Sequence, residues 1–306
     1  MRLITGATGF IGRRVLRNGD RALVRGVCAY ANSIRGDLLD QASLLPACEG
    51  VETVIHCAGY AHAFADSSEN LHRLINFEGT RNLLRAARSA GVRRFVFLSS
   101  IKAMSDPGDV CADEDYPGEP STPYGRAKRE AECAVMSAGA ESGMHVTVLR
   151  LAMVYGQGGR GNLERMARAI QAGWFPPIPE TGNRRSIIHV DDVVSAVEAV
   201  SVNPAASGRT FIVSDPVSYS GRMLYDGIRK SLGKRPIKHE IPESLIRFLG
   251  RAGDRVASIS GTPFRINSEI VSRLLDSACY SSARIRRELG WSAEISLEAG
   301  LREMVN

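Results

Sequence analysis

Thr5-Gly6-Ala7-Thr8-Gly9-Phe10-Ile11-Gly12 follows a short apolar run and leads into Arg13-Arg14-Val15-Leu16. Residues 2–5 are strand-length, and 10–16 read as a helix with Gly19 as its stop. Glycines between a strand and a helix have a physical use. One permits the tight turn, one lets the backbone approach a pyrophosphate, and one lets helix and strand pack closely. The helix N-terminus adds free N–H groups and partial positive charge for an anion. A glycine triad alone marks any tight turn; after the first strand of a β–α–β series it points to a dinucleotide. Gly6, Thr8, Gly9, Phe10, Ile11 and Gly12 are therefore candidate cofactor contacts.

The alternation continues down the chain. Residues 22–25, 33–36, 51–57, 95–99 and 146–151 read as strands, with helices near 44–48, 71–90 and 121–137. Strands that are continuous apolar runs separated by helices predict a parallel sheet covered on both faces, with right-handed crossovers. After Tyr155 the rhythm changes to a glycine-rich loop at 156–161. Helices follow at 163–172, 190–202, 221–232, 243–256 and 281–289, with one strand at 210–213. The expected organisation is residues 1–155 as a dinucleotide-binding unit and 156–306 as a smaller, mainly helical region. About 186–215 of the latter returns to the sheet.

The 306 residues carry a net charge of +6 at 44% hydrophobic composition, ordinary for a soluble globular chain. Five of the 39 basic residues are lysines (Lys102, Lys128, Lys230, Lys234, Lys238) and the rest are arginines. The charges are dispersed and aromatics sparse, with no basic tail, which argues against a nucleic-acid partner. No apolar run approaches a membrane span and the N-terminus is no signal peptide, so a cytoplasmic protein is expected. The six cysteines contain no C-x-x-C pair, which argues against a metal site or redox pair. In a reducing compartment they read as small, mostly buried apolar residues.

Tyr124 and Lys128 stand four apart in a helical segment, on one face. An ammonium beside a phenol lowers its pKa, so that the tyrosine can exchange protons near neutral pH. With eight tyrosines and five lysines, chance supplies roughly 0.1 such pairs. Ser99-Ser100 ends the apolar run at 95–98, where a strand's C-terminal end faces the ligand crevice of an α/β sheet.

The glycine turn and Tyr124-x-x-x-Lys128, in that order, resemble the extended short-chain dehydrogenases/reductases of the epimerase/dehydratase type. The resemblance implies a Rossmann-type, doubly wound parallel sheet. It also implies a catalytic set of Ser100, Tyr124 and Lys128, with Ser99 the alternative serine. Asn76-x-x-Gly79-Thr80, Arg150 to Gly156, Arg185-x-x-x-His189-x-x-Asp192 and Tyr280 to Trp291 resemble further motifs of the nucleotide-sugar branch. There Leu151 replaces a proline and Arg284 a lysine. The resemblance makes Arg185 the ligand of a sugar-nucleotide diphosphate, chemistry suited to a planar, bidentate guanidinium. Asn162, Arg273, His62 and Lys102 are further candidate substrate contacts, and Asn76 a cofactor contact.

An acidic residue ending the second strand would bind the NAD ribose. Arg25 stands there instead, which favours NADP, with NAD still open and Arg13 a second candidate for the extra phosphate. Asp37 and Leu38 would border the adenine, and Ala58 and Gly59 the pyrophosphate and ribose. The resemblance implies a homodimer and a UDP-linked sugar substrate. It leaves open an NAD(P)H-dependent 4-ketoreductase of a UDP-4-keto-6-deoxy-hexosamine in surface-polysaccharide biosynthesis and a UDP-hexose 4-epimerase with tightly bound NAD. Arg25 favours the first. A non-catalytic NADP-binding sensor or assembly subunit would typically lack the tyrosine or lysine. Arg185 argues against a reductase of steroid-like or phenolic ketones. Ile101-Lys102 after the serine, in place of an Asp-Glu pair, disfavours a dehydratase.

Overall fold

The computed structural model describes residues 1–28, 30–60, 69–237, 239, 241–260 and 267–306. The chain opens with β1 (Arg2–Thr5), α1 (Gly12–Val15), β2 (Arg21–Val24), β3 (Ser33–Arg35), α2 (Gln41–Cys48) and β4 (Thr53–His56). Next comes one helical rod made of α3 (Glu69–His72), a π-helical stretch (Arg73–Glu78) and α4 (Gly79–Ser89). Then follow β5 (Arg94–Ser100), β6 (Cys111–Ala112), α5 (Pro123–Ser142), β7 (His145–Leu151), β8 (Met153–Tyr155), α6 (Asn162–Gln171), β9 (Ile187–His189), α7 (Val190–Val202) and β10 (Arg209–Val213). The chain ends with α8 (Gly221–Ser231), α9 (Glu243–Ser260), α10 (Ser268–Leu275), β11 (Cys279–Tyr280), α11 (Ala283–Leu289) and α12 (Leu297–Val305).

Seven strands form a single parallel sheet in the order β10-β7-β5-β4-β1-β2-β3. The order reverses direction between β1 and β4, and that switch opens a crevice at the carboxyl edge of the strands. Period-two alternation on β5 sends Phe95 and Phe97 to one face and Val96 and Leu98 to the other. The first face packs with Leu44, Leu83 and Val135 from α2, α4 and α5. The second packs with Val193 and Val197 from α7 and with Ile285 and Trp291. A third core joins α6, α8, α10 and α12 through Leu163, Ile170, Tyr225, Val271 and Leu301. Among the described residues no helix is long and apolar enough to cross a membrane.

Several elements depart from the sequence expectation. The first helix shrinks to four residues because Leu16 is already extended. α5 continues to Ser142, since nothing breaks it before Gly143, whose φ of 70° ends it. Its start is capped by Thr122, whose hydroxyl accepts from the Gly125 N–H at 3.1 Å. α10, α12 and the two-residue ladder β6·β11 were not anticipated. Two-residue strands carry no periodic signal.

The cysteine expectation needs correction. Cys111 and Cys279 are disulfide-bonded. Cys48 is buried, Cys28 and Cys57 are half-buried and Cys133 is exposed. The pair is separated by 168 residues in sequence, and only the β6·β11 register brings it together.

Candidate active site

Ser100 ends β5 and Tyr124 opens α5, so both meet at the carboxyl edge of the sheet. Their hydroxyls are hydrogen-bonded, which lowers the Tyr124 pKa, but burial prevails and pushes it up to about 12. Tyr124 is therefore a neutral phenol across the physiological range. The Ser100 hydroxyl also accepts from the Lys102 N–H at 3.2 Å, capping a 3₁₀ turn over Ile101–Ala103. Ser99 points the other way and donates to Glu132 Oε1 at 2.5 Å, so Ser100 is the serine that joins the tyrosine.

Lys128 is fully enclosed on the face of α5 shared with Tyr124. Its Nζ donates to the Leu98 carbonyl at 2.9 Å and sits 4.6 Å from the centre of the Phe97 ring. Burial pulls its pKa down to about 8, opposed by the negative charge of Glu132. The expectation of a lowered Tyr124 pKa is not met: burial raises it, outweighing the Ser100 hydrogen bond.

The glycine turn has the crowding that demands glycine. Gly6 has φ +67°, and a Cβ there would lie 2.7 Å from the Ala58 backbone nitrogen. A Cβ on Gly12 would fall 2.1 Å from the Gly6 carbonyl oxygen. Gly9 N–H closes the turn on Gly6 C=O at 2.8 Å. Thr8 and Gly9 are exposed at its rim, and Phe10 and Ile11 are half-buried. Ala58 N–H donates to the Thr5 hydroxyl at 3.2 Å. A Cβ on Gly59 would stand 3.0 Å from Asn76 Oδ1 and 3.4 Å from Lys128 Nζ. Asn76, held in the π-helical stretch, grips Tyr60 through both its N–H (2.8 Å) and its carbonyl (2.9 Å). A π-turn at such a place is a common functional device. These bare backbone surfaces fit the pyrophosphate and ribose of a dinucleotide.

Arg25 and Arg35 line one cavity of about 400 Å³ with Gly36, Asp37, Asp40 and Ser43. It lies at the ends of β2 and β3, where the adenosine end of a dinucleotide belongs. Leu38 is buried nearby against Gly79. Arg13 does not join them: its guanidinium donates to the Gln157 carbonyl at 3.2 Å, across the crevice.

On the opposite wall Arg185 is largely enclosed, its pKa lowered by desolvation, and its Nη1 donates to the Asp276 carbonyl at 2.7 Å. Arg273, on α10, is paired with Glu269. Lys102 follows the serine turn. Its pKa is lowered by burial, opposed by Asp106, with Arg185 and Arg273 adding repulsion. Arg185, Arg273 and Lys102 thus share one wall, interleaved with Asp106 and Glu269. Asn162 begins α6 after the glycine loop. His62 lies outside the described residues.

The model described as the NAD dependent epimerase/dehydratase family matches residues 2–214. The chain belongs to this family. A UDP-glucose 4-epimerase of Vibrio cholerae is 27% identical over 318 residues, spanning 98% of this chain and 93% of the relative. Sterol demethylase protein B of Methylococcus capsulatus is 30% identical over 318 residues, spanning 94% of this chain and 92% of the relative. The solved structure of MoeE5 in complex with UDP-glucose and NAD superposes with a TM-score of 0.78 at 24% identity, covering 99% and 97% of the two chains.

This member of the epimerase/dehydratase family is an NAD(P)-dependent short-chain dehydrogenase/reductase. Three residues of its site escaped the sequence reading. Arg35 shares the Arg25 cavity, and its position one residue before Gly36-Asp37 was the available signal. Glu132, one turn beyond Lys128, and Arg150, which begins the Arg150–Gly156 motif, form a buried ion pair behind the lysine. Helical spacing from Lys128 would have flagged Glu132. Nothing local links Arg150 to it.

Proposed function

We propose that this protein is a nucleotide-sugar oxidoreductase. Its activity is the NADPH-dependent reduction of a UDP-4-keto-6-deoxy-hexosamine, a step of surface-polysaccharide biosynthesis. The observation that carries this reading is the Ser100–Tyr124 hydrogen bond at the crevice. It stands between the dinucleotide turn and the cations Lys102, Arg185 and Arg273. When bound, the nicotinamide supplies the hydride for C4. Tyr124, neutral because burial raises its pKa to about 12, gives its proton to the C4 oxygen. Ser100 hydrogen-bonds the same oxygen. Lys128, Gly59 and Asn76 would hold the ribose, and Arg25 and Arg35 the 2′-phosphate. Arg185, with Arg273, would hold the diphosphate, and Asn162 the nucleotide. By the same reading the protein would be a homodimer through α4 and α5.

A second reading, UDP-hexose 4-epimerase with tightly bound NAD, is favoured by the Vibrio cholerae relative. It requires Tyr124 to start as a base. The Arg25–Arg35 cavity favours the reductase.

Purified protein, UDP-4-keto-6-deoxy-N-acetylhexosamine and NADPH decide between them. Absorbance loss at catalytic protein concentration supports the reductase. No loss, together with interconversion of UDP-hexoses without added cofactor, replaces it with the epimerase. Tyr124→Phe should abolish either activity while dinucleotide binding persists; surviving turnover would overturn the role of Tyr124.

A further inference from the structure

Six cysteines scattered in sequence become, in the fold, four single thiols and one pair. Cys111 on β6 and Cys279 on β11 are register partners, with Cα atoms 4.5 Å apart. The ladder they belong to is short: one further register pair, Ala112 with Tyr280, and the Ser281 N–H donating to Ala112 C=O at 2.8 Å. The backbone ladder is short, and the segments are also joined by a buried cluster of Ile101, Met104, Ala112 and Tyr280 and by the Arg284–Asp115 ion pair; the covalent link reinforces this junction.

Both segments lead into the site. The one carrying Cys111 continues from the turn capped by Ser100, and the Asp109 carbonyl accepts from Arg184. The one carrying Cys279 holds Arg185 and both its neighbours in sequence. Ala278 N–H donates to Arg184 C=O at 2.7 Å, and Ser186 N–H donates to Ala278 C=O at 3.0 Å. The Asp276 carbonyl accepts from Arg185 Nη1 at 2.7 Å. The disulfide therefore ties the loop that leaves the catalytic serine to the strand that fixes the phosphate-side arginine.

The pair is reachable from one side: Cys111 is exposed and Cys279 buried, and a cavity of about 170 Å³ is lined by both cysteines with Asp215, Ser281, Ser282 and Arg286. Its wall carries several hydroxyls, one cation, Arg286, and the buried Asp215 carboxyl, polar partners for a small peptide thiol such as a glutathione-type tripeptide.

We propose that Cys111–Cys279 is a thiol–disulfide exchange site for a low-molecular-weight peptide thiol, and that its oxidation state sets how firmly Arg185 is held for the substrate diphosphate. The coupling rests on the reading of Arg185 as the diphosphate ligand. In reduction, a thiolate attacks one sulfur of the bond, forming a mixed disulfide and releasing the other cysteine as a thiolate. A second thiol displaces the first from the mixed disulfide. Two thiols thereby become one external disulfide, and both cysteines end as thiols carrying the two protons. Oxidation by the external disulfide is the reverse.

The test uses the full-length protein equilibrated with either oxidised or reduced glutathione. Thiol titration after denaturation should find at most four reactive groups (Cys28, Cys48, Cys57 and Cys133) in the oxidised sample, the exposed Cys133 being open to mixed-disulfide formation, and all six in the reduced one. Calorimetry with UDP should show about 5-fold or greater weakening on reduction, the lower end of ordinary site-to-site coupling, with NADPH affinity unchanged. Cys111→Ser, at an exposed position, should bind UDP at the reduced level under both conditions. Six thiols in the oxidised sample, or equal UDP affinity in both states, would overturn the proposal. Arg185→Ala separates the two layers. Undiminished UDP binding in that variant overturns the phosphate reading itself. Diminished binding in the variant beside redox-insensitive wild-type protein overturns only the exchange site.

Discussion

Arg150 and Glu132 form a buried ion pair directly behind Lys128, with Arg150 Nη2 2.8 Å from Glu132 Oε2 and each side chain only 4% exposed. Arg150 Nε is shared between the two carboxylate oxygens at 3.1 and 3.2 Å, and Nη1 donates to the Glu114 carbonyl at 3.1 Å. The Ser99 hydroxyl supplies a further bond to the same carboxylate. α5, β5 and β7 are thereby pinned to one another one helical turn from Lys128. The pair is fully satisfied, so removing one partner strands the other charge. Glu132→Ala should lower unfolding stability by about 3–5 kcal/mol, measured by urea denaturation. A loss under about 1 kcal/mol, the range of exposed pairs, would contradict this account.

Glu132 also governs the charge of Lys128. Burial pulls the ammonium down to about 8, and the carboxylate opposes that pull. The lysine is charged below that pH and neutral above it. The kcat/KM profile, which reports the free enzyme, should therefore fall as pH rises through about 8. Glu132→Gln keeps the side-chain shape and removes the opposing charge, so its alkaline limb should move to lower pH. A limb that stays in place would show that Glu132 acts through packing alone.

On the proposed reading, Arg25 and Arg35, which share one cavity, set cofactor choice. Each charge-assisted bond to a phosphate is worth about 1.5–3 kcal/mol. Arg25→Ala with Arg35→Ala should raise the KM for NADPH by about 100-fold or more and leave that for NADH nearly unchanged. Equal losses for both cofactors would remove these arginines from specificity.

His56 is buried between two hydroxyls, with Nδ1 2.6 Å from Thr5 Oγ1 and Nε2 2.9 Å from Thr80 Oγ1. Burial, with repulsion from Lys128, holds its pKa at about 3, below the ordinary 6.5. The unfolded chain therefore takes up a proton between those values and the folded chain does not. Stability should be full above pH 6.5 and fall by about 1.4 kcal/mol per pH unit below it from this group. His56→Gln should flatten the slope between pH 6 and 4 in thermal unfolding scans. An unchanged slope would mean that His56 charges without unfolding the protein.

Much of this protein is written locally. The glycine turn at Gly6–Gly12, the apolar strand runs and the i,i+4 pair Tyr124–Lys128 each depend on neighbours in sequence. Backbone sterics, strand burial and helical period were enough to predict a parallel sheet with its catalytic edge. Ser100 over Ser99 was legible only through resemblance, and the structure supplies the physical reason: successive strand residues face opposite sides, and Glu132 claims Ser99. The rest depends on distance in space. Arg35 beside Arg25, Arg150 against Glu132 and Cys111 bonded to Cys279 join segments that no periodicity connects. The strand order and register decided those pairs, because only a folded sheet fixes which side chains, remote along the chain, share one desolvated space. The Tyr124 pKa was likewise decided there, because burial depth outweighs what helical spacing alone implies.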